Sequence, residues 1–253
     1  MSASISEIHI YPVKGLSGLD LAQATLEKGQ AIAGDRRFAL GRPGFVFDTE
    51  NPVWMPKTNF LALVRDEKLA ELDAGFNAVT NILTLRQGGC IVLAADISGA
   101  EGRTAIEAFF AEFLAGEIDG TPTFLEAGDH SFSDFDAKVI SLINLDSVAA
   151  LGSEIDTDID ARRFRANIYF EGQAAWTEFD WLDRKIRIGT AVAEVIKRTR
   201  RCAATNVNPD TATRDLNLPR ALQKGWGHTD MGVYARVVEP GEIRPGDPIV
   251  PIS

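Results

Sequence analysis

Residues 185–211 read KIRIGTAVAEVIKRTRRCAATNVNPDT, and this stretch combines a clear strand pattern with a possible site of chemistry. Residues 185–188 and 191–196 are short apolar runs separated by a glycine-containing turn, which predicts two neighbouring strands. A basic run follows and ends at Cys202, and the Asn-Pro-Asp-Thr sequence beyond it is typical of a turn. The pattern therefore predicts that Cys202 lies where a strand gives way to a loop.

The same pattern of short strands and turn residues extends over most of the chain. In the first half it predicts strands at 5–11, 37–40, 61–64, 82–85 and 90–95. In the second half it predicts strands at 139–143, 166–170, 233–238 and 248–252, besides the two above. We therefore expect a mainly β fold with a few short helices (α+β), built as two closely packed β-barrel-like domains.

Three helices are also predicted. Thr104 and Glu107 have the spacing of a capping box, and apolar residues then repeat with helical periodicity up to Gly116. The aromatic residues in this repeat indicate core packing rather than a cofactor-binding face. Residues 146–151 and 219–224 are the other two helices. Each is expected to end at the next glycine, Gly152 and Gly225.

The boundary between the two domains is expected just after the first helix. The segment 116–122 contains two glycines and a proline, and it divides the chain into residues 1–116 and 117–253. Because this segment is short, the two halves should pack closely rather than move independently.

The composition of the chain argues against several functional classes. A net charge of −10 disfavours a general nucleic-acid binder, because no global positive field would gather phosphates. The longest apolar stretches are too short to cross a bilayer, and the N-terminus lacks the pattern of a secretory signal. We therefore expect a cytoplasmic protein with neither a nucleic-acid nor a membrane partner.

The chain has two cysteines, Cys90 and Cys202, and this narrows its metal chemistry. Two cysteines cannot hold an iron–sulfur cluster or a four-cysteine zinc site, and a disulfide framework is not expected. The sequence contains no HExxH pattern, no phosphate-binding P-loop and no GxSxG elbow. Cys90 begins an apolar run, so we assign it to the core.

Cys202 is the candidate metal ligand of this chain. Four of the five residues before it are cations, and nearby positive charge stabilises a thiolate, which is a soft ligand for a transition metal. Because alternate strand residues face the same side, Arg198, Arg200 and Cys202 would lie together. Two structural alternatives stay open: Cys202 as a buried hydrophobic residue, and the basic run as a solvated face of an edge strand.

Other motifs could add polar groups to the same site. Arg165 and Asn167 would share a strand face and offer a guanidinium fork and an amide to a planar or phosphorylated ligand. Lys14 and Gly15 form a glycine-bearing turn after a strand, which is a candidate phosphate contact. The Gly-Asp-Arg-Arg-Phe sequence at 34–38 adds a cation at a strand start. Only the fold could bring these distant residues together.

Taken in order, these motifs resemble the MOSC family over nearly the whole chain. The motifs are Tyr-Pro-Val-Lys-Gly, Gly-Asp-Arg-Arg-Phe, Arg-Phe-Arg-Ala-Asn-Ile, the cysteine motif with its Asn-Pro-Asp-Thr tail, and a closing Pro-Gly-Glu-Ile-Arg-Pro-Gly-Asp-Pro-Ile. The resemblance implies a MOSC N-terminal β-barrel domain at 1–116 and a MOSC domain at 117–253. It is strongest toward family members that reduce amidoximes and other N-hydroxylated compounds.

The resemblance also implies a molybdenum cofactor (molybdenum–molybdopterin) held between the two domains. Cys202 would be both the metal ligand and the catalytic centre. The cofactor-binding residues would be Lys14, Gly15, Arg37, Arg165, Asn167, Arg200 and Arg201, and the Ser133-Asp134 segment could lie near the pterin.

Two residues depart from the family pattern. Gly15 stands where the amidoxime-reducing members have a serine, so only its backbone could contact the cofactor. Ala212 replaces the glycine that usually follows Pro-Asp-Thr, which could stiffen the loop.

The resemblance implies an oxidoreductase that reduces small N-hydroxylated substrates. Electrons would come from a separate iron–sulfur or flavin protein, because two cysteines cannot hold a cluster in this chain. The alternatives are a cofactor carrier without turnover, and an interaction protein in which Cys202 belongs to the core. Cofactor sulfuration is a weaker alternative, because the sulfurases carry a pyridoxal-phosphate domain for which this chain has no room.

Overall fold

The computed structural model describes residues 3–252, and most of them form short strands. The strands are β1 (Ala3–Ile10), β2 (Leu19–Asp20), β3 (Ala24–Leu26), β4 (Phe38–Gly41), β5 (Leu72–Asn77), β6 (Ile82–Gln87), β7 (Cys90–Asp96), β8 (Thr123–Glu126), β9 (Ile140–Asn144), β10 (Ile168–Glu171), β11 (Lys185–Ile188), β12 (Ala191–Arg200), β13 (Asp230–Glu239), β14 (Gly241–Ile243) and β15 (Pro248–Ile252). The α-helices described in this range are α1 (Ala100–Phe113), α2 (Leu145–Glu154) and α3 (Leu218–Trp226). Short 3₁₀ helices cover Lys57–Asn59, Glu67–Glu71, Ala161–Phe164, Thr177–Trp181 and Ala203–Asn206.

Seven strands close into a barrel, in the order β1, β10, β9, β13, β12, β11, β15 and back to β1. Neighbouring strands are antiparallel except for β9 and β10, which are parallel. Side chains alternate between the interior and the surface, so that Ile186 and Ile188 are buried whereas Lys185 and Arg187 are exposed. The inward-facing residues form an apolar core inside the barrel.

Three smaller sheets complete the fold: β5-β6-β7, β4-β8 and β3-β14. A second apolar core contains residues of β4, β5, β6 and α1, among them Phe38 and Phe110. Phe109 and Phe113 pack against this core, which confirms that the aromatic residues of α1 are packing residues. The expected mainly β fold with a few short helices is also confirmed, as one closed barrel with additional sheets.

The predicted helices exist, but their ends differ from the expected ones. α1 begins at Ala100 after Gly99, one turn before Thr104, so the capping-box prediction is wrong. The Glu107 carboxylate instead accepts a hydrogen bond from the Phe124 amide at 2.8 Å. α2 continues past Gly152 to Glu154, and α3 continues past Gly225 and ends before Gly227, which has a φ of 75°. A positive φ favours glycine, so Gly227 rather than Gly225 ends α3.

Two other predictions are wrong. Residues 61–64 are irregular chain leading into a turn rather than a strand, although Leu61 is fully buried. Cys90 is exposed rather than in the core, because it follows the Gly88-Gly89 turn and begins the edge strand β7, where Ile91 is also exposed. The strands that the pattern did not predict, β2, β3, β5, β8 and β14, are short or carry polar residues.

The boundary between residues 116 and 117 stays a proposal, because strands from both halves pair with each other. β1 lies in the barrel between β10 and β15, and β8 pairs with β4. Residues 1, 2 and 253, at the ends of the two proposed domains, lie outside the described residues. Among residues 3–252, none of the helices has the length and apolar character needed to cross a membrane.

Candidate functional site

A cavity of about 230 Å³ lies between the two halves of the chain, and its wall is strongly basic. The first half contributes residues of the turns after β1 and before β4, together with the loop that carries Lys57. The second half contributes the segment before β9, the segment before β10 and the end of β12. The cations of the wall are Lys14, Arg36, Lys57, Arg163, Arg165, Lys197, Arg198, Arg200 and Arg201, and the carboxylates are Asp35 and Asp134.

Cys202 lies in this wall, at the point where β12 gives way to the 3₁₀ helix Ala203–Asn206. The predicted strand-to-loop position is therefore confirmed. Its carbonyl accepts hydrogen bonds from the Thr205 amide (3.1 Å) and hydroxyl (2.9 Å), which fix the backbone. The side chain is partly exposed, and the Lys57 ammonium donates to Sγ over 3.2 Å. A cysteine buried in packed hydrocarbon would have none of these polar neighbours.

The end of β12 does not keep the simple alternation that the sequence predicts. Arg198, Arg200 and Cys202 all line the cavity, but Thr199 and Arg201 line it as well. The register with β13 shifts between Val195 and Lys197 and again between Arg198 and Arg200, as in β-bulges. These irregularities turn successive residues of β12 toward the same cavity.

Lys14 and Lys57 share one carboxylate, that of Asp134. Lys14 is buried, donates to the Phe132 carbonyl over 2.8 Å, and forms a short ion pair with Asp134. Burial lowers the pKa of Lys14, and Asp134 offsets this only in part. Burial alone would raise the pKa of Asp134, but the two lysines outweigh it and hold this pKa below its ordinary value. The charged form of Asp134 is therefore stable within the cavity wall.

Arg36 and Arg165 bring the two halves together around Tyr11. Their guanidinium carbons lie 4.5 and 4.3 Å from the centre of the Tyr11 ring, within the range of cation–π contacts. Arg36 binds the Asp35 carboxylate at 2.6 Å and donates to the Arg165 carbonyl at 2.9 Å. Arg165 donates to the Leu16 carbonyl at 2.6 Å, and burial lowers its pKa. Both side chains thus connect the halves and place positive charge at the cavity.

Two predicted second-half residues are held by backbone and neighbouring groups. Asn167 accepts from the Ser141 amide and hydroxyl (3.0 and 2.9 Å) and donates to the His9 carbonyl, so its side chain joins strands. Arg201 donates to the carbonyls of Met231 and Phe164, and burial lowers its pKa. Both residues line the cavity with their side-chain positions fixed.

Arg37 is the predicted site residue that lies outside the cavity. It pairs with Glu126 at 2.6 Å and lies over the Phe38 ring, whereas Arg36 lines the cavity. Arg36 ends a turn with a φ of 50°, so strand alternation does not apply there, and a motif with two consecutive arginines did not show which one faces inward. Arg37 as a cofactor-binding residue stays a proposal, and Arg36 is the residue of this motif that lines the cavity.

Gly15 lies where a side chain would not fit. Its φ is 88°, and a Cβ atom there would be 2.9 Å from the Leu61 carbonyl oxygen. The turn after β1 therefore packs closely against the 61–64 segment at this glycine. A serine at this position would require that segment to move.

Polar atoms in the cavity wall are left without partners. Arg163 Nε, Arg198 Nε and Thr199 Oγ1 are buried and form no hydrogen bond within the described part of the chain. All three residues line the cavity, but the Arg198 guanidinium lies over the Phe179 ring, 4.2 Å from its centre, and that of Arg163 binds Asn206 and Asp215, so Thr199 Oγ1 is the group left for a ligand. Free donors and surplus positive charge fit an anionic ligand that is rich in hydrogen-bond acceptors.

Comparison with known proteins identifies the family. The profile of the MOSC domain matches residues 127–250, and that of the MOSC N-terminal beta barrel domain matches residues 2–117. The chain belongs to the MOSC family. Within this family, human mitochondrial amidoxime-reducing component 1 is 21% identical over 281 residues, which cover 97% of this chain and 82% of that protein. Mitochondrial amidoxime reducing component 2 of Bos taurus is 23% identical over 289 residues, with the same two coverages of 97% and 82%.

Solved structures give more distant matches. YiiM from Geobacillus stearothermophilus is 25% identical with a TM-score of 0.36, and covers 45% of this chain and 54% of its own. The YUAD protein from Bacillus subtilis is 12% identical with a TM-score of 0.45, and covers 98% of this chain and 94% of its own.

Sequence reasoning missed several residues of this MOSC site. Arg36 stands next to the selected Arg37, and Arg163 lies two residues before the selected Arg165, so their motifs gave a signal without showing that these arginines line the cavity. Tyr234 lies in β13, within a strand that was predicted only as a structural element. Lys57 lies in a loop without any recognised motif, and only the three-dimensional contact with Cys202 reveals it.

Proposed function

We propose that this MOSC protein is an oxidoreductase that holds the molybdenum cofactor in the basic cavity and reduces small N-hydroxylated compounds. The observation that carries the proposal is the position of Cys202, whose sulfur lies in a cavity wall with nine cationic side chains and two carboxylates. The relatives named amidoxime-reducing components support the choice of substrate class.

The residues of the cavity fit this cofactor chemically. The Cys202 sulfur is the soft ligand that the chain would offer to molybdenum. Lys14, Arg36 and Arg165 would bind the phosphate and pterin by charge-assisted hydrogen bonds. The unpartnered Thr199 Oγ1 is a further group that a bound pterin would satisfy. When bound, the cofactor would supply two-electron redox chemistry at the metal.

Reduction of an N-hydroxylated amidine consumes two electrons and two protons, breaks the N–O bond and releases water. The chain would bind and orient the substrate next to Cys202, while a separate iron–sulfur or flavin protein would supply the electrons. The basic wall would retain the anionic cofactor through repeated cycles in a protein whose net charge is −10.

The central test compares Cys202→Ala with Cys90→Ala, a matched change at an exposed cysteine. All proteins are produced in a cofactor-competent host. Molybdenum is measured by mass spectrometry, pterin by fluorescence after oxidation, and benzamidoxime reduction with a reduced viologen as donor. Changes in groups that only support a metal ligand lower metal affinity roughly tenfold to a hundredfold. Loss of the ligand itself should reduce bound molybdenum at least that much and abolish turnover.

Cys90→Ala should retain both molybdenum and turnover. Molybdenum content that is unchanged in Cys202→Ala would refute the proposed ligand. Wild-type protein that contains the cofactor but reduces none of several N-hydroxylated substrates would instead be a carrier, and the proposed reductase activity would be wrong.

A further inference from the structure

The strongest feature not explained by the family resemblance is the lysine from the first half that contacts Cys202. Lys57 begins a short 3₁₀ helix, directly after Pro56, and its Nζ lies 3.2 Å from Cys202 Sγ. Among residues 3–252, no other side chain forms a hydrogen bond with this sulfur. The two residues are 145 positions apart, so the contact exists only because the two halves are docked.

The position of Lys57 is fixed by a second contact. Its ammonium also donates to Asp134 Oδ2 at 3.2 Å, while the other carboxylate oxygen of Asp134 accepts from the buried Lys14. Lys14 is anchored in turn by the Phe132 carbonyl. The Lys57 side chain is 31% exposed and that of Asp134 is 45% exposed, so the order of this contact comes from the buried Lys14, which holds the Asp134 carboxylate.

The contact with Lys57 restricts the side-chain rotamer of Cys202. A cysteine side chain can occupy three staggered positions about its Cα–Cβ bond, and these differ in where they place Sγ. The backbone of Cys202 is fixed by Thr205, but this leaves the side-chain rotation free. The contact with Lys57 favours the one position in which the sulfur faces the opposite half of the chain.

We propose that Lys57 is a positioning residue of the cofactor site. Asp134 orients the Lys57 ammonium, and the ammonium holds the Cys202 sulfur in the position from which it would bind the metal of the cofactor. The first half would thereby do more than cover the cavity, because it would set the geometry of the thiolate that the second half supplies. This inference rests on the proposed function, because it takes the molecule bound in the cavity to be the molybdenum cofactor.

The test compares Lys57→Met and Lys57→Arg with Lys28→Met, a matched change at an exposed turn. The proteins are loaded with molybdenum cofactor, and release of the pterin is followed by fluorescence. The Mo(V) electron paramagnetic resonance spectrum then reports the surroundings of the metal. Lys57→Met should release the cofactor roughly tenfold faster. Its spectrum should also shift or divide into several species, because the sulfur is no longer held in one position.

Lys57→Arg keeps a cation and a hydrogen-bond donor, so it should restore most of the retention, and Lys28→Met should behave as wild type. Wild-type release and an unchanged spectrum in Lys57→Met would overturn the inference. Thermal unfolding of the cofactor-free proteins shows whether each variant folds. If Lys57→Met does not fold, Lys57→Gln takes its place and the same two outcomes apply.

A Cys202→Ala sample separates the two hypotheses. If it retains the cofactor, the ligand role of Cys202 is refuted, as in the central test, and the role of Lys57 falls with it. If it loses the cofactor while Lys57→Met keeps wild-type release and spectrum, only the role of Lys57 is refuted.

Discussion

Among single residues, Glu178 has the most unusual surroundings outside the cavity. Its side chain is fully buried, and both of its oxygens accept from the Ser147 hydroxyl, at 2.9 and 3.0 Å. Burial raises the pKa of Glu178 from 4.5 to about 7, in spite of these hydrogen bonds. The residue is therefore close to its point of ionisation at neutral pH.

Glu178→Gln should remove this ionisation and change how stability depends on pH. Because the folded-state pKa of Glu178 is raised, its contribution to stability is complete below pH 4.5 and is lost as the pH rises through about 7. The variant should match wild type near pH ~4 and exceed it by about 3 kcal/mol at pH ~8. Urea unfolding at the two pH values measures this. A difference between the two proteins that does not vary with pH would contradict the assigned pKa.

At the scale of elements, the loop that follows Cys202 is attached to both halves of the chain. Arg163 donates to the Asn206 carbonyl and the Asp215 carboxylate within the second half. Arg214 donates to the Ala203 carbonyl and, across the halves, to the Leu63 carbonyl, both at 2.8 Å. The loop is thus held at its start and its end, so Cys202 lies on a fixed segment.

Arg214→Gln should loosen this loop while leaving β12 intact. Hydrogen bonds from a charged group to backbone carbonyls contribute about 1.5–3 kcal/mol each, and solvent reduces this where the group is partly exposed. We expect amides of residues 203–214 to exchange roughly tenfold faster in hydrogen-exchange mass spectrometry. Arg220→Gln on α3 is the control and should leave the loop unchanged. Protection equal to wild type in Arg214→Gln would show that Arg163 alone holds the loop.

At the scale of the whole molecule, the barrel depends on a strand from the far end of the chain. β1 closes the gap between β10 and β15, and β3 pairs with β14. A fragment of residues 117–253 lacks both strands, so its barrel would have two open edges and an exposed apolar core. The two halves therefore cover each other's core as well as the cavity.

The fragment 117–253 alone should show no cooperative unfolding transition in circular dichroism. Co-expression with residues 1–116 should restore the transition, because β1 and β3 are then supplied without a covalent connection. A cooperative transition in the isolated fragment would show that the second half is an independent domain. Failure of the two fragments to assemble would argue against a boundary at residue 116.

The sequence by itself determined much of the local structure. Alternating apolar residues predicted β11 and β15 with the observed ends, and most other strands within a few residues. The turn residues after the basic run correctly placed Cys202 at the end of a strand. These predictions succeeded because strand pairing and turn formation depend on neighbouring residues, whose preferences are readable from the chain itself.

Tertiary structure alone decided which side chains meet. The sequence could not show that Arg36 rather than Arg37 faces the cavity, that bulges turn Thr199 and Arg201 inward, or that Cys90 lies on an open edge. It gave no indication that Lys57 would reach Cys202. The physical reason is that local preferences fix the backbone of an element. Its rotation, its bulges and its distant neighbours follow from how elements far apart in the sequence pack together.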